Sequence, residues 1–205
     1  SWVGLENWDS ISLENLETDL CNPTAIQNRR ELIAGGITIS RNKDQLIPFH
    51  RPDTLKMASI FIGAKEKQPF QEVLDLYQEI PHFQIEKNVS QASFDLLLKK
   101  VKDKDIVIVG LADMSRFAKR GYGLTKTSLA FLKKLDKETN LVLTVFGTPY
   151  SLKNFEFADW LVNADYDVKI PAQKLAAQVL FGGIAGNGKV PVTSSDKFKF
   201  GDGFE

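Results

Sequence analysis

The chain has 205 residues, 43% of them hydrophobic, which is enough apolar content for one substantial core and too little length for two typical domains. Its 26 basic and 26 acidic residues cancel, so net charge supplies no field to steer nucleic acid or an anionic membrane, and neither is expected as a partner. The single cysteine, Cys21, excludes an internal disulfide and leaves the fold to packing alone.

Residues 1–21 carry Trp2 and Trp8 among polar and acidic neighbours and read as an interdomain arm that docks by its aromatic rings, while residues 22–205 read as the domain itself. The first residues have neither a basic start nor an apolar signal region, and no stretch approaches the roughly 20 apolar residues that span a bilayer. The absence of an initiator Met and the abrupt stop after Glu205 suggest a piece of a longer polypeptide. Asn22 and Pro23 provide a helix N-cap and a first-turn proline, and Ala25, Ile26, Arg29, Leu32 and Ile33 continue with helical spacing to Gly35 and Gly36. Ile37, Thr38 and Ile39 read as a short strand, and residues 41–48 as a polar connection.

From there strands and helices alternate. A short apolar run at 57–62 closes on Gly63, and Phe70, Val73, Leu74 and Tyr77 place an apolar stripe on the helix after it. Residues 82–85 read as a strand, and Ser90 opens a helix that buries Phe94, Leu97, Leu98 and Val101. The β-branched run at 105–110 has the composition of a strand covered on both faces. A helix over 125–137, a strand over 141–146, a short helix near 152–155, a strand over 160–162 and a helix over 171–181 complete the pattern. Alternation of this kind predicts a mainly parallel sheet between helical layers, a three-layer α/β/α sandwich of flavodoxin-like type. In such sheets ligands meet the loops beyond the carboxyl ends of the strands, here near Gly63, Lys87, Gly110, Gly147 and Asn163.

Few residues carry an obvious chemistry. Residues 183–189 match most of a phosphate-binding P-loop, but Val190 stands where a Ser or Thr must hold magnesium and the segment follows a helix, so it reads as a helix stop and turn. His50 and His82 have no metal-ligand spacing, Cys21 has no partner, and no Gly-x-Ser-x-Gly elbow is present; neither a metal nor a cofactor is expected. The loop at 111–123 is basic, aromatic and glycine-containing and follows the strongest strand, which makes Asp113, Arg116 and Tyr122 candidates for a cleft wall or an interdomain contact. Asp165 stands in a second acidic and aromatic segment at 163–167, which reads as a turn and a weaker candidate.

The later part of the chain resembles a known family. Phe146-Gly147-Thr148-Pro149-Tyr150, then Ala158-Asp159-Trp160-Leu161-Val162, then Ala176-Ala177-Gln178-Val179-Leu180-Phe181-Gly182 and Gly188-Lys189-Val190-Pro191-Val192 look like the closing segments of family three glycoside hydrolases. The helix at 22–34 and residues 37–49 are similar to that family's link from barrel to sandwich. The resemblance implies a C-terminal sandwich packed on an upstream (β/α)8 barrel that carries an Asp nucleophile, and a β-linked oligosaccharide as the ligand of the whole enzyme. In the β-glucosidase branch the acid is a Glu on a loop placed roughly like residues 111–123, which hold no Glu. In the β-N-acetylglucosaminidase branch a His paired with an Asp on a barrel loop donates the proton. The sequence fits that second branch better, and no catalytic residue is expected within the chain. A carbohydrate-binding or protein-interaction module derived from the same domain, using Trp2, Trp8, Trp160 and the 111–123 loop, is the alternative.

Overall fold

The apolar runs of the sequence become the strands of one six-stranded sheet in the order β1-β6-β5-β4-β2-β3. The computed structural model describes residues 12–164 and 170–204 together with Trp2 and Gly4. The strands are β1 (Thr38–Asn42), β2 (Met57–Ile62), β3 (His82–Ile85), β4 (Ile106–Leu111), β5 (Asn140–Val145) and β6 (Trp160–Asn163). β2 to β6 run parallel, and β1 pairs antiparallel with β6 at one edge. Numbered among themselves, the five parallel strands have the flavodoxin order 2-1-3-4-5, with the direction of winding reversing between β2 and β4.

Two helical layers cover the sheet because successive residues of a strand face opposite sides. Phe61, Ile108, Val142 and Val162 point to one face, where they meet Phe70 and Leu74 of α3 (Pro69–Tyr77) and Leu175 and Val179 of α6 (Ile170–Leu180). Their neighbours Ile60, Val107, Val109, Leu143 and Leu161 point the other way, onto Phe94 and Leu98 of α4 (Gln91–Val101) and Phe131 and Leu132 of α5 (Lys126–Glu138). Every residue of β2 and of β4 is buried, which explains their unbroken apolar character. The result is the three-layer α/β/α sandwich expected from the sequence.

The helix ends follow local chemistry. Ser90 caps α4 by accepting from the Ser93 amide, Thr125 and Ser128 form a reciprocal box at the start of α5, and Pro69 occupies the first turn of α3. Gly182, at φ +74°, stops α6, with the Gly183 amide returning to the Gln178 carbonyl at 2.8 Å. The P-loop-like segment after it is the turn the sequence suggested, and its backbone is already engaged: Asn187 bridges Thr38, and the Gly188 amide donates to the Ile37 carbonyl at 3.0 Å.

β1 departs from the expected 37–39 and runs to Asn42, through polar residues. Ser40 and Asn42 are nonetheless buried, and Asn42 exchanges two hydrogen bonds with the backbone of Ile47, at 2.6 and 2.9 Å. On the side of β1 away from β6, the Phe204 amide donates to the Ile39 carbonyl at 3.1 Å.

By the density of its internal contacts the chain divides into two units, 1–32 and 33–205. The first holds α1 (Leu16–Leu20) and the greater part of α2 (Pro23–Gly36), whose N-cap forms as expected, Asn22 Oδ1 accepting from the Ala25 amide at 2.9 Å. Neither helix has a buried residue, and Leu13, Leu20, Ile26 and Leu32 are exposed. Trp2 is fully exposed, whereas Trp8 and the acidic and aromatic segment at 165–169, including Asp165, lie outside the described residues.

Candidate functional site

The winding reversal between β2 and β4 is where a doubly wound sheet leaves a crevice at the carboxyl ends of its strands. Here that crevice is filled from within. Lys87, on the loop after β3, reaches across the end of β2 to the loop after β4, where its ammonium pairs with Asp113 Oδ2 at 2.9 Å and donates to the Asp113 carbonyl oxygen. The lysine side chain is 8% exposed, the aspartate side chain 72%. The Lys87 carbonyl accepts from Thr125 Oγ1 at 3.1 Å, and Gly123 lies so close that a β-carbon there would stand 3.3 Å from the ammonium. Lys87 thus meets the entry of the loop with its side chain and the residues after its exit with its backbone carbonyl.

Between those anchors the loop closes on itself. The Ser115 amide donates to the Tyr122 carbonyl at 2.8 Å, and the Arg120 and Tyr122 amides both donate to the Phe117 carbonyl. Asp113 and Tyr122 hold left-handed backbone, with φ of 55° and 57°, conformations that cost a non-glycine residue about 1–2 kcal/mol each. The turn at Tyr122 sends its ring inward, where it is 7% exposed and carries the Lys153 ammonium 5.5 Å from its centroid. Arg116 and Phe117 remain outside, together with Lys119 and Arg120.

The open space lies one strand further along, between the loops after β4 and β5. It is a groove of about 710 Å³ walled by Met114, Ser115, Arg116 and Phe117 on one side and by Gly147, Thr148 and Tyr150 on the other. Gly147 permits this approach, since a β-carbon there would lie 2.8 Å from Met114. Asn163, at the end of β6, donates to the carbonyls of Val145 and Gly147 at 3.3 and 3.0 Å and holds the second wall. Phe117 and Tyr150 are about half exposed at the rim.

Of the sequence candidates, the structure gathers Asp113, Arg116 and Tyr122 on one loop and gives them separate places: an ion pair, a groove wall and a buried prop. Sequence reasoning placed Lys87 and Gly147 at strand-end loops but did not single out Lys87, Thr148 or Tyr150 as site residues. The role of Lys87 shows itself only once β3 and β4 are known to flank β2. Trp160 is partly buried, with its indole donating to the Lys43 carbonyl at 2.9 Å and its ring packed against the core.

A second groove, of about 760 Å³, opens at the opposite end of the sheet between Arg41, Lys43, Asp159, Lys197 and Asp202. Asp136, near the end of α5, is electrostatically coupled to this charged group, and its carboxyl is pushed up to about 6, first by burial and then by Asp159, with Arg41 and Lys43 opposing. Crossovers of a parallel sheet do not converge at that end, so the β4–β5 groove is the better candidate. Among the described residues no cluster of His, Cys, Asp and Glu could hold a metal ion. No helix among them is long and apolar enough to cross a membrane.

The architecture has counterparts of known structure. A β-N-acetylglucosaminidase of glycoside hydrolase family 3 from Paenibacillus sp. str. FPU-7 superposes with a TM-score of 0.70 at 14% identity, over 94% of this chain and 36% of that one. A fungal multi-domain family 3 β-N-acetylglucosaminidase gives 0.69 at 20% identity, over 88% and 20%. The chain shares its fold with a portion of family 3 glycoside hydrolases. A β-glucosidase from Listeria innocua in complex with glucose shares the fold at a TM-score of 0.58 and 16% identity, over 81% of this chain and 26% of that one. The chain spans about a fifth to a third of the length of these proteins. No family model and no curated protein matches its sequence.

Proposed function

We propose that the chain is a non-catalytic C-terminal domain of a β-glycoside hydrolase resembling the β-N-acetylglucosaminidases. In this reading it packs on an upstream (β/α)8 barrel that carries the Asp nucleophile and the acid/base, and its 111–123 loop and the β4–β5 groove form part of the substrate cleft. One observation carries the proposal: the loop holds no Glu, and its only acid, Asp113, is bound to a buried ammonium. Glycoside hydrolysis with retention needs a nucleophile and a proton donor on either side of the bond, with carboxyl groups about 5–5.5 Å apart where both are carboxylic acids. The Asp113 carboxylate is engaged by Lys87 at the loop entrance. The fold relationship to part of family 3 chains agrees with a domain acting beside another.

Hydrolysis of aryl β-N-acetylglucosaminide and aryl β-glucoside by the 205-residue chain, alone and rejoined to its native upstream region, is the direct test. Activity only in the longer protein supports the proposal, with the glucosaminide as the better substrate. Turnover by the chain alone overturns it. The half-exposed Phe117 and Tyr150 at the groove favour one second reading, a carbohydrate-binding module that stacks sugar on those rings. Saturable binding of neutral oligosaccharide by the chain, without any gain in hydrolysis on rejoining, would select it.

A further inference from the structure

We propose that the β4–β5 groove is an oxyanion-binding subsite, in which Arg116 and Arg120 grip the carboxylate or phosphate of a sugar-sized ligand. The inference deepens the reading of this loop as a cleft wall by naming the chemistry that the wall accepts.

The charge of the chain is neutral overall but not locally. From residue 114 to residue 135 there are six basic side chains, Arg116, Lys119, Arg120, Lys126, Lys133 and Lys134, and no acidic one. The single acid at the loop entrance, Asp113, is consumed by Lys87. Lys134 of this stretch, and elsewhere Lys43, Lys65, Lys67, Lys104 and Lys197, each lie within 4.0 Å of a carboxylate. Arg116, Lys119 and Arg120 have no such partner among the described residues, and neither guanidinium donates a hydrogen bond to them. Among the described residues the three cations of the loop tip are thus uncompensated, and one of them, Arg116, lines the groove, with Arg120 beside it over the Phe117 ring.

Their geometry suits an anion. The Arg116 and Arg120 guanidinium carbons sit 5.0 and 5.5 Å from the centroid of the Phe117 ring. Stacking on a ring occupies the face of a guanidinium and leaves its edge N–H groups free, and it is those edges that meet planar carboxylate or tetrahedral phosphate with paired hydrogen bonds. Holding both groups on one ring also lowers the entropy lost when a ligand binds. The loop beneath is fixed by Lys87, so the cations are presented from a rigid base. Across the groove the Tyr150 ring offers a face for the apolar side of a pyranose, and 710 Å³ is ample for one sugar.

The test is a titration of the ¹⁵N-labelled 205-residue chain with sodium phosphate, sodium glucuronate and glucose at constant ionic strength, following the amides of Phe117 and Gly147 and the Nε groups of Arg116 and Arg120. Saturable shifts with phosphate, glucuronate or both, at least tenfold tighter than with glucose, support the proposal. Glucuronate binding more tightly than phosphate assigns the oxyanion to an acidic sugar, and the reverse order assigns it to free phosphate. Arg116→Gln and Arg120→Gln should each weaken binding tenfold or more, and Lys133→Gln should leave it within twofold. No saturation by either anion, glucose binding as tightly as the tighter of the two anions, or unchanged affinity in both arginine variants overturns the proposal. Binding to the chain alone requires no hydrolysis, so this inference and the hydrolase reading can fail independently.

Discussion

Removing Asp113 should cost more stability than removing Lys87, although Asp113 is the exposed partner. Asp113→Asn keeps a residue type that tolerates φ of 55° and deletes only the charge. What remains is an ammonium 8% exposed, with the carbonyl of residue 113 as its acceptor and no counter-charge. Stripping one partner from a fully buried pair costs about 3–5 kcal/mol; with the lost partner mostly in water, about 1.5 kcal/mol is expected here. Lys87→Met retains the apolar stem, returns Asp113 to solvent and forfeits roughly one hydrogen bond, about 1 kcal/mol. Once Lys87 is gone Asp113 has nothing to neutralise, so the double variant should match Lys87→Met, giving a coupling of about 1.5 kcal/mol. Urea denaturation followed by circular dichroism measures all three. Trypsin reads the loop separately, because Arg116, Lys119 and Arg120 are cleavage points that should open faster in Lys87→Met than its loss of stability accounts for. Effects that add within about 0.5 kcal/mol, or a larger cost for Lys87→Met than for Asp113→Asn, would refute the role given to Lys87.

Three further outcomes follow from packing and titration. Asp136, with its carboxyl raised to about 6, binds more protons folded than unfolded, so its contribution is favourable at low pH and is lost as pH rises through 6. Asp136→Asn should therefore stabilise the chain at pH 7.5, by about 1 kcal/mol after allowance for solvent screening, with the gain vanishing by pH 4 in thermal melts. His82 is shifted the other way, its imidazole lowered from 6.5 chiefly by burial against the opposing pull of Asp75 at 2.8 Å. Folded His82 resists protonation, so stability present above pH 6.5 should fall as pH drops below it, and His82→Gln should flatten that part of the curve. Gly110→Ala would place a β-carbon 2.6 Å from the Phe61 ring, which stacks on Phe146 at 5.9 Å, and overpacking of this kind costs about 1–3 kcal/mol by denaturant melts.

The sequence was most informative where one physical demand dominates. β2 has the boundaries read from its residues, 57–62, because a strand inside a parallel sheet must be apolar on both faces and ends where glycine intervenes; the edge strand β3 also has its expected bounds, 82–85, although it is only half-buried. β1 was cut short because Ser40, Arg41 and Asn42 look solvated, whereas Asn42 is satisfied by Ile47 and Arg41 by the Glu156 carbonyl at 2.7 Å. The 111–123 loop was visible as a basic and aromatic run after the strongest strand. Its internal order was not, since nothing local says that Tyr122 turns inward or that Lys87 is buried. Those facts depend on left-handed backbone at two positions and on the order of β3, β2 and β4, which no periodicity encodes.

The backbone laid along β1 has a consequence for association. A sheet that ends in a bare strand offers a row of amides and carbonyls on which another chain can continue the ladder. Here the outward carbonyls of Ile37 and Ile39 are taken by Gly188 and Phe204 of the same chain, and Thr38 is bridged by Asn187. At the far edge β3 has only four residues, and Lys100 lies over its Phe83 ring at 5.7 Å. Strand addition thus finds one margin sealed and the other too short to template much. Partners are left to approach through loops and helix faces, and cross-β growth has little edge from which to start.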